Sequence, residues 1–321
     1  MTSSRIPLAT LRTPTDMLEA VPFLLGFKPA DAIVAIVVLD AQVYLTARWD
    51  LGVTESPGGL DQVLERLVYD CDGQPLWDAR YFLVGYGPRE RVRPVLEAVR
   101  AGLGVVLDSV IVDRRRWWFV DDPVARPGQP IPRKGRVARA FGETRPVLAS
   151  RDALVAGIAP PTGEREDTML AALLAAFEVI PEEEPAAAGR MVLDIMADWS
   201  RGPVPDIDYL AVAVAMSLPL AREAVWRVTT RDFAVRHLAF WKAVLTRTPL
   251  AVRLPPLAVL GLNAWIAGDG ALKNICLEEA ERIDPDFSLV QLLLAVTGQG
   301  VHPDLWAEIR DGLLTPAGVA S

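Results

Sequence analysis

The chain has 321 residues, 51% of them hydrophobic, and this length exceeds what one hydrophobic core usually serves, so we expect two domains. Its net charge of -8 argues against a surface that binds nucleic acid throughout, because phosphate contacts need clustered lysine and arginine. No apolar run approaches the roughly 20 residues of a membrane helix, and the N-terminus lacks a secretory signal pattern. A cytoplasmic protein without membrane association is therefore expected.

The first 120 residues alternate between strand and helix patterns. A capping threonine, Thr13, precedes a short predicted helix that we expect to end at Pro22. Strands are predicted over residues 32–39 and 43–49, with a hairpin turn at 40–42 between them. Two more helices and three more strands follow, the helices at residues 60–69 and 92–101 and the strands at 81–85, 105–112 and 117–120. This alternation predicts a small mixed sheet with packed helices, which we assign to residues 1–146.

The strand patterns stop after residue 146, and the remainder reads as helices. Apolar residues recur every three to four positions over residues 168–179, 191–199, 209–217, 221–227, 233–245, 257–267, 271–282, 289–297 and 304–313. Residues 147–321 are thus predicted to form an all-α domain of helical hairpins, and the fold class of the chain is α+β. Small residues over 264–271, followed by Pro285, resemble one tetratricopeptide-type hairpin, although no period of about 34 residues continues through this half.

Two cysteines and two histidines restrict the cofactor chemistry. Cys71, Cys276, His237 and His302 form no CxxC or HExxH pattern, so neither a zinc site nor a disulfide framework is predicted. The strand-to-helix turn at 85–89 lacks the third glycine and the lysine of nucleotide-binding loops. No nucleophile accompanies His237, which we interpret as a structural residue. We therefore expect no catalytic residue, no metal and no flavin or nicotinamide cofactor.

A first group of charged residues is a candidate anion site. Arg48 and Asp50 fall on one face of the second strand, and Lys28 and Asp31 precede the first strand. An arginine in such a group could hold an anionic ligand through two hydrogen bonds. The alternative interpretation is a structural ion pair at the end of a strand.

A second candidate is the basic segment, residues 114–151, where ten lysines and arginines against three acidic residues give +7 and leave -15 for the rest of the chain. Arginines interleave with aromatic residues at its start, which is typical of proteins that bind single strands. Alternatively, Trp117 and Phe119 form the core side of an edge strand, and the basic loop docks on an acidic surface. The candidate residues in this segment are Arg114, Arg116, Trp118, Arg133, Lys134, Arg136 and Arg139.

Five motifs give the chain a family resemblance that covers nearly its whole length. They are PFLLGFKPAD at 22–31, ARWDL at 47–51, RWW at 116–118, SRDALV at 150–155, and GDGAL at 268–272 followed by a DP pair at 284–285. Together they resemble an actinobacterial family catalogued only as a domain of unknown function. The resemblance implies a shared fold and a cytosolic setting, but no catalytic residue. Members of that family tend to carry several cysteines after the aromatic pair; this chain has none there, so the resemblance implies no metal-centred function.

These observations favour a non-enzymatic interaction or regulatory adaptor module with a protein partner. Two alternatives stay open. One is a nucleic-acid-associated protein that uses the basic segment, and the other is an enzyme with an anion site at Lys28, Arg48 and Asp50. The sequence leaves the oligomeric state open.

Overall fold

The structure is a computed structural model that describes residues 11, 13–39, 42–69, 73–123, 126–132, 135–141, 147–180, 185–298 and 301–314. Its backbone contacts divide the chain into two units, with the boundary between Arg151 and Asp152. The first unit contains a mixed sheet and the second is built from helices. The α+β class predicted from the sequence is confirmed.

The described part of the first unit contains six strands and five helices. The strands are β1 (Ala32–Leu39), β2 (Gln42–Asp50), β3 (Arg80–Tyr86), β4 (Val105–Asp113), β5 (Arg116–Phe119) and β6 (Gln129–Pro130). The helices are α1 (Pro14–Leu25), α2 (Leu51–Glu55), α3 (Gly59–Val68), α4 (Arg89–Ala101) and α5 (Arg136–Phe141). The sheet order is β2-β1-β3-β4-β5-β6, in which only β3 and β4 are parallel and α4 forms the crossover between them.

Strand β1 is buried on both faces of the sheet. Ile33 and Val37 belong to a core that includes residues of α3 and α4, such as Leu67 and Leu96. On the opposite face Val34 is equally inaccessible to solvent. Burial on two faces explains why β1 is a continuous apolar run rather than an alternating one.

Helix α1 continues through Pro22, so the predicted end at this proline is wrong. Thr13 and Asp16 form a capping box at its start, and the helix ends at Gly26, whose φ of 76° is left-handed. A proline inside a helix removes one backbone hydrogen bond and strains the preceding turn. Burial of Val21 and Leu25 around the proline offsets this cost.

The described residues place ten helices from residue 151 onward, the first of which begins at the unit boundary. They are α6 (Arg151–Ala156), α7 (Glu164–Glu178), α8 (Pro185–Trp199), α9 (Asp206–Ala215), α10 (Pro219–Val228), α11 (Arg231–Leu245), α12 (Leu254–Ala267), α13 (Gly270–Ile283), α14 (Ser288–Gly298) and α15 (Trp306–Leu314). The nine helices expected from apolar periodicity are present, and α6 is additional. Within the described ranges no single helix has the length and apolarity to cross a membrane; α9 and α10 reach that length and composition only as a pair, bent by 104°.

Helix α12 is the central element of the second unit. It is buried from Pro256 to its end at residue 267 and packs between α11 and α13. Gly261 allows close packing, because a Cβ there would lie 3.1 Å from Leu293 and 3.2 Å from Cys276. Gly268 and Asp269 then connect α12 to α13, with Asp269 capping the second helix. A helical hairpin is thus present at residues 264–283, while its tetratricopeptide-like character stays a prediction.

Candidate anion-binding and partner-binding site

One edge of the sheet collects charged residues from several strands. The register pairs Ala32 with both Asp50 and Tyr86, and Tyr86 with Val112, so the start of β1 lies beside the ends of β2, β3 and β4. Open α/β sheets commonly bind ligands where parallel strands end, as β3 and β4 do here. We call the charged residues at this position the charged edge: Asp31, Arg48, Asp50, Arg91, Arg114, Arg115 and Arg116.

Arg48 is engaged by neighbouring groups of its own unit. One terminal nitrogen donates to Asp50 Oδ1 at 2.5 Å, and the guanidinium lies over the ring of Phe27, 5.9 Å from its centroid. The Arg48 side chain is 15% exposed, whereas that of Asp50 is 63% exposed. This geometry is that of an ion pair at a strand end, with the carboxylate facing solvent.

Asp31 pairs with an arginine of α4 rather than with Arg48. Its Oδ1 lies 3.8 Å from Arg91, whose guanidinium donates to both carboxylate oxygens of Glu55 at 2.8 and 3.1 Å. These hydrogen bonds from Arg91 lower the pKa of Glu55. Lys28 is exposed and forms no ion pair with a described residue. The structure therefore joins Arg48 to Asp50, but it does not join Asp31 or Lys28 to that pair.

Two consecutive arginines form the turn between β4 and β5. Asp113 pairs with Arg116, so the hairpin loop consists of Arg114 and Arg115 alone. Their φ values, 49° and 75°, are both left-handed. Asn-Gly is favoured in such a turn, because a residue with a bulky side chain is strained there. Both side chains are exposed, and neither bonds to another described residue. Backbone preference therefore does not explain arginine at these two positions.

The aromatic residues of β5 are engaged within the first unit. Trp117 is 4% exposed and meets Phe119 edge-on, with ring centroids 5.1 Å apart. The guanidinium of Arg89 lies 4.9 Å from the Trp118 ring centroid, and a Cβ on Gly128 would come within 2.4 Å of that ring. The predicted position of β5 at the sheet edge is wrong, because β6 pairs with it. The rings thus serve packing rather than an open stacking platform.

Acidic residues that follow β5 neutralise part of the basic segment and its surroundings. Arg100 binds both carboxylate oxygens of Asp121, at 2.7 and 3.0 Å, and these hydrogen bonds lower the pKa of Asp121. Arg126 donates to Asp122 Oδ1 at 2.6 Å, and Arg93 donates to the carbonyl oxygen of Asp122 at 2.6 Å. The balance of +7 already counts both aspartates, and of the described basic residues of the segment only Arg126 is paired by them.

Arg136 and Arg139 lie on α5 instead of in the loop that the sequence predicts. Arg136 donates to Asp16 Oδ2 at 2.8 Å, across 120 residues of sequence. The carboxylate of Glu19 accepts hydrogen bonds from the first amides of α5, including that of Val137 at 3.2 Å. Acidic side chains of α1 thus cap and hold α5.

The remaining basic candidates differ in what the structure says of them. Arg133 and Lys134 lie outside the described residues. Arg139 is exposed and forms no ion pair with a described residue. Arg115 belongs to the charged edge but is absent from the candidate residues named from the sequence. The short gap between the patterns of β4 and β5 indicates a tight hairpin there, and this signal could have identified it.

The turn between β3 and α4 has the location of a phosphate-binding loop, but two of its backbone positions cannot donate a hydrogen bond to a phosphate. The Gly87 amide donates to Val112 O at 3.0 Å, and Pro88, the N-cap of α4, has no N–H to offer.

In the described part of the chain no group of three His, Cys, Asp or Glu side chains is arranged to hold a metal ion. Cys276 is buried, and burial raises the pKa of its thiol.

Comparison with known proteins identifies a family for this chain but no activity. No curated protein and no solved structure matches the chain. The family model described as "Domain of unknown function (DUF4192)" matches residues 14–304, from the start of α1 to the turn before α15. Because this match covers most of both units, the chain belongs to the DUF4192 family.

Proposed function

We propose that this protein is a non-enzymatic, cytoplasmic interaction module that recognises an acidic protein partner through the hairpin arginines Arg114, Arg115 and Arg116. The observation that carries the proposal is the pair of left-handed arginines at the β4–β5 turn. Non-glycine residues held in this region cost roughly 1–2 kcal/mol each and are found preferentially at binding and active sites. The strain therefore favours a role for these two side chains outside the fold.

The surroundings of the hairpin supply a reason for charge recognition. One terminal nitrogen of Arg116 donates a hydrogen bond to Gly128 O at 2.7 Å, which fixes the base of the hairpin. Arg114 and Arg115 have no such partner among the described residues and project from a two-residue turn between paired strands. A turn of this kind fixes the backbone of both residues, and the two guanidinium groups match the carboxylates of an acidic partner in charge and geometry.

A protein partner is favoured over single-stranded nucleic acid by the state of the aromatic residues. Sequence-tolerant strand binders stack bases on open aromatic faces. Trp117 is buried, and the Trp118 ring is covered by Arg89 and Gly128. The anion-site alternative at Lys28, Arg48 and Asp50 has less support, since Arg48 already binds Asp50 and Lys28 forms no ion pair with either.

The proposal is tested with full-length protein immobilised in three forms. These are the wild type, the variant Arg114→Asn/Arg115→Gly, which preserves the turn while removing its charge, and a control, Arg227→Gln/Arg282→Gln, which removes two exposed arginines from helices of the second unit. Each is exposed to cell extract with and without nuclease and to a glutamate-rich peptide.

We expect the wild type and the control to capture a protein partner and to bind the peptide. The Asn-Gly variant should do neither, and nuclease should not change the capture. Retention should fall with added salt, because exposed charge pairs are screened. Capture that nuclease abolishes would replace the proposal by the nucleic-acid alternative. Equal capture by the Asn-Gly variant would refute a role for the hairpin.

A further inference from the structure

A pocket of about 290 Å³ lies between α8 and α11 of the helical unit. Helix α8 and the residue after it supply Leu193, Met196, Ala197, Trp199 and Ser200, while α11 supplies Phe233, Arg236 and His237. The volume is just below the usual range for ligand sites, about 300–1,000 Å³, and suits a single ring with substituents rather than a nucleotide. Its lining combines an apolar wall with two nitrogen-bearing side chains of α11.

His237 presents a fixed tautomer to this pocket. Its Nδ1 lies 2.8 Å from Phe233 O, and because a carbonyl oxygen only accepts, Nδ1 carries the proton and Nε2 carries a lone pair. The residue is 9% exposed, and its Nε2, which keeps contact with solvent, has no hydrogen-bond partner in the part of the chain that the structure describes. The Phe233 ring lies against the imidazole, with centroids 4.1 Å apart, and fixes its orientation. A hydroxyl group of a ligand in the pocket can donate a hydrogen bond to this open acceptor in place of water.

Arg236 gives the same pocket a cationic group. Its Nε donates to Asp232 O at 3.2 Å, which leaves both terminal nitrogens without a described partner. A guanidinium with two terminal nitrogens available matches a carboxylate in shape and charge. The neutral acceptor of His237 therefore suits a hydrogen-bond donor of the ligand, and the cation of Arg236 suits a carboxylate of the same ligand.

The wall opposite α11 suits an aromatic ring. Trp199 packs edge-on against Phe240, with centroids 5.5 Å apart, and Phe240 is wholly buried. Met196 is 2% exposed and adds a thioether that adapts to flat ligands. A rigid aromatic wall loses little conformational entropy when a ring packs on it.

We propose that this pocket binds a small aromatic acid that also carries a hydroxyl group. Arg236 holds the carboxylate, His237 Nε2 accepts the hydroxyl hydrogen bond, and Trp199 and Met196 pack on the ring. This site lies in the helical unit and is independent of the hairpin arginines, so it stands whether or not their proposed role does.

The probes are the 2-, 3- and 4-hydroxy isomers of phenylacetate, titrated into full-length protein by calorimetry. Phenylacetate lacks the hydroxyl group, and the hydroxyphenyl ethanols lack the carboxylate. At least one hydroxy acid should bind several-fold to about tenfold more tightly than phenylacetate, and the matching alcohol should bind more weakly still. No binding of any isomer up to about 5 mM overturns the proposal.

Variants then separate the two contacts. Arg236→Gln should weaken the hydroxy acid roughly tenfold to a hundredfold, while Arg227→Gln, an exposed arginine of α10, should not change its affinity. His237→Phe should abolish the preference for the hydroxy acid over phenylacetate without preventing phenylacetate from binding. Loss of affinity for both acids with unchanged preference would refute the role of His237. Equal affinities in Arg236→Gln and Arg227→Gln would refute that of Arg236.

Discussion

Glu279 provides the counter-charge for Arg253 in the interior of the helical unit. Arg253 is wholly buried, and its Nε donates to Glu279 Oε1 at 2.7 Å. Its terminal nitrogens donate to the carbonyl oxygens of Leu245, at 2.8 Å, and of Ile158. One side chain thus satisfies a carbonyl at the end of α11, a carbonyl before α7 and a carboxylate of α13. A buried guanidinium is tolerated only when its donors and its charge are satisfied together.

The first prediction concerns this buried ion pair. Glu279→Ala should lower the free energy of unfolding by about 3–5 kcal/mol, because it leaves a desolvated guanidinium without a counter-charge. Urea unfolding of the full-length chain, followed by far-ultraviolet circular dichroism, measures the loss. Glu281→Ala, in the last turn of the same helix, is the control and should change stability by less than about 0.5 kcal/mol. Equal losses in the two variants would show that Arg253 does not depend on Glu279.

The hairpin predicts a change in the opposite direction. Arg114→Asn/Arg115→Gly should raise the free energy of unfolding by roughly 1–2 kcal/mol, because both new residues adopt left-handed φ with less strain. Arg114→Ala/Arg115→Ala removes the same charges but retains the Cβ atoms, so it should leave stability nearly unchanged. Thermal unfolding of the three proteins compares them. If the alanine and Asn-Gly variants have the same melting temperature, the arginines are not strained.

Both variants should also lose the partner proposed above. Greater stability with weaker binding is expected where a fold retains strain for function. An Asn-Gly variant that is more stable and binds as well as the wild type would mean that the strain has no role in recognition.

Local sequence patterns predict most elements because those elements are stabilised by local periodicity and core burial. The strand β1 and the nine predicted helices of the second unit fall into this class, and the cores of both units are built from their apolar residues. The end of α1 was predicted wrongly because burial of Val21 and Leu25 outweighs the local effect of Pro22. Local rules contain no information about such tertiary compensation.

The candidate site is predicted less well, because pairing between charges depends on contacts that are distant in sequence. Arg136 pairs with Asp16, which lies 120 residues away in sequence, and Glu19 caps α5 through the amide of Val137, 118 residues away. Composition alone makes Arg136 and Arg139 equivalent members of a basic loop, whereas the structure gives the first an ion pair. Spacing alone similarly suggests that Trp118 is available for stacking, whereas Arg89 and Gly128 cover its ring.

The two arginines of α5 should therefore respond differently to substitution. Arg136→Gln should destabilise the protein by about 1 kcal/mol, since its partner Asp16 is 12% exposed and loses a charge-assisted hydrogen bond at 2.8 Å. Arg139→Gln removes the same charge from an exposed position and should change stability by less than about 0.5 kcal/mol. Urea unfolding of both variants at low and high salt tests the difference. Indistinguishable midpoints would mean that the α1–α5 ion pair contributes nothing.

The last prediction follows from the buried imidazole of the pocket. Burial lowers the pKa of His237 below its ordinary value of 6.5, with a smaller contribution in the same direction from Arg236, while the hydrogen bond to Phe233 O acts against them. The unfolded chain takes up a proton near its ordinary pKa, but the folded chain does so only at lower pH. Between these two values the unfolded state binds more protons, so stability is highest above pH 6.5 and falls on acidification.

The slope in that window cannot exceed about 1.4 kcal/mol per pH unit, the value for uptake of one whole proton, and it flattens below the folded-state pKa. Urea unfolding of the wild type and His237→Phe between about pH 7.5 and pH 5 measures it. Other titrating groups, including the half-buried Asp108, whose pKa is raised by burial, are common to both proteins and cancel in the difference. The wild type should lose stability relative to His237→Phe as the pH falls. Parallel curves would show that His237 has the same proton affinity in the folded and unfolded chains, and that burial of the residue does not lower its pKa.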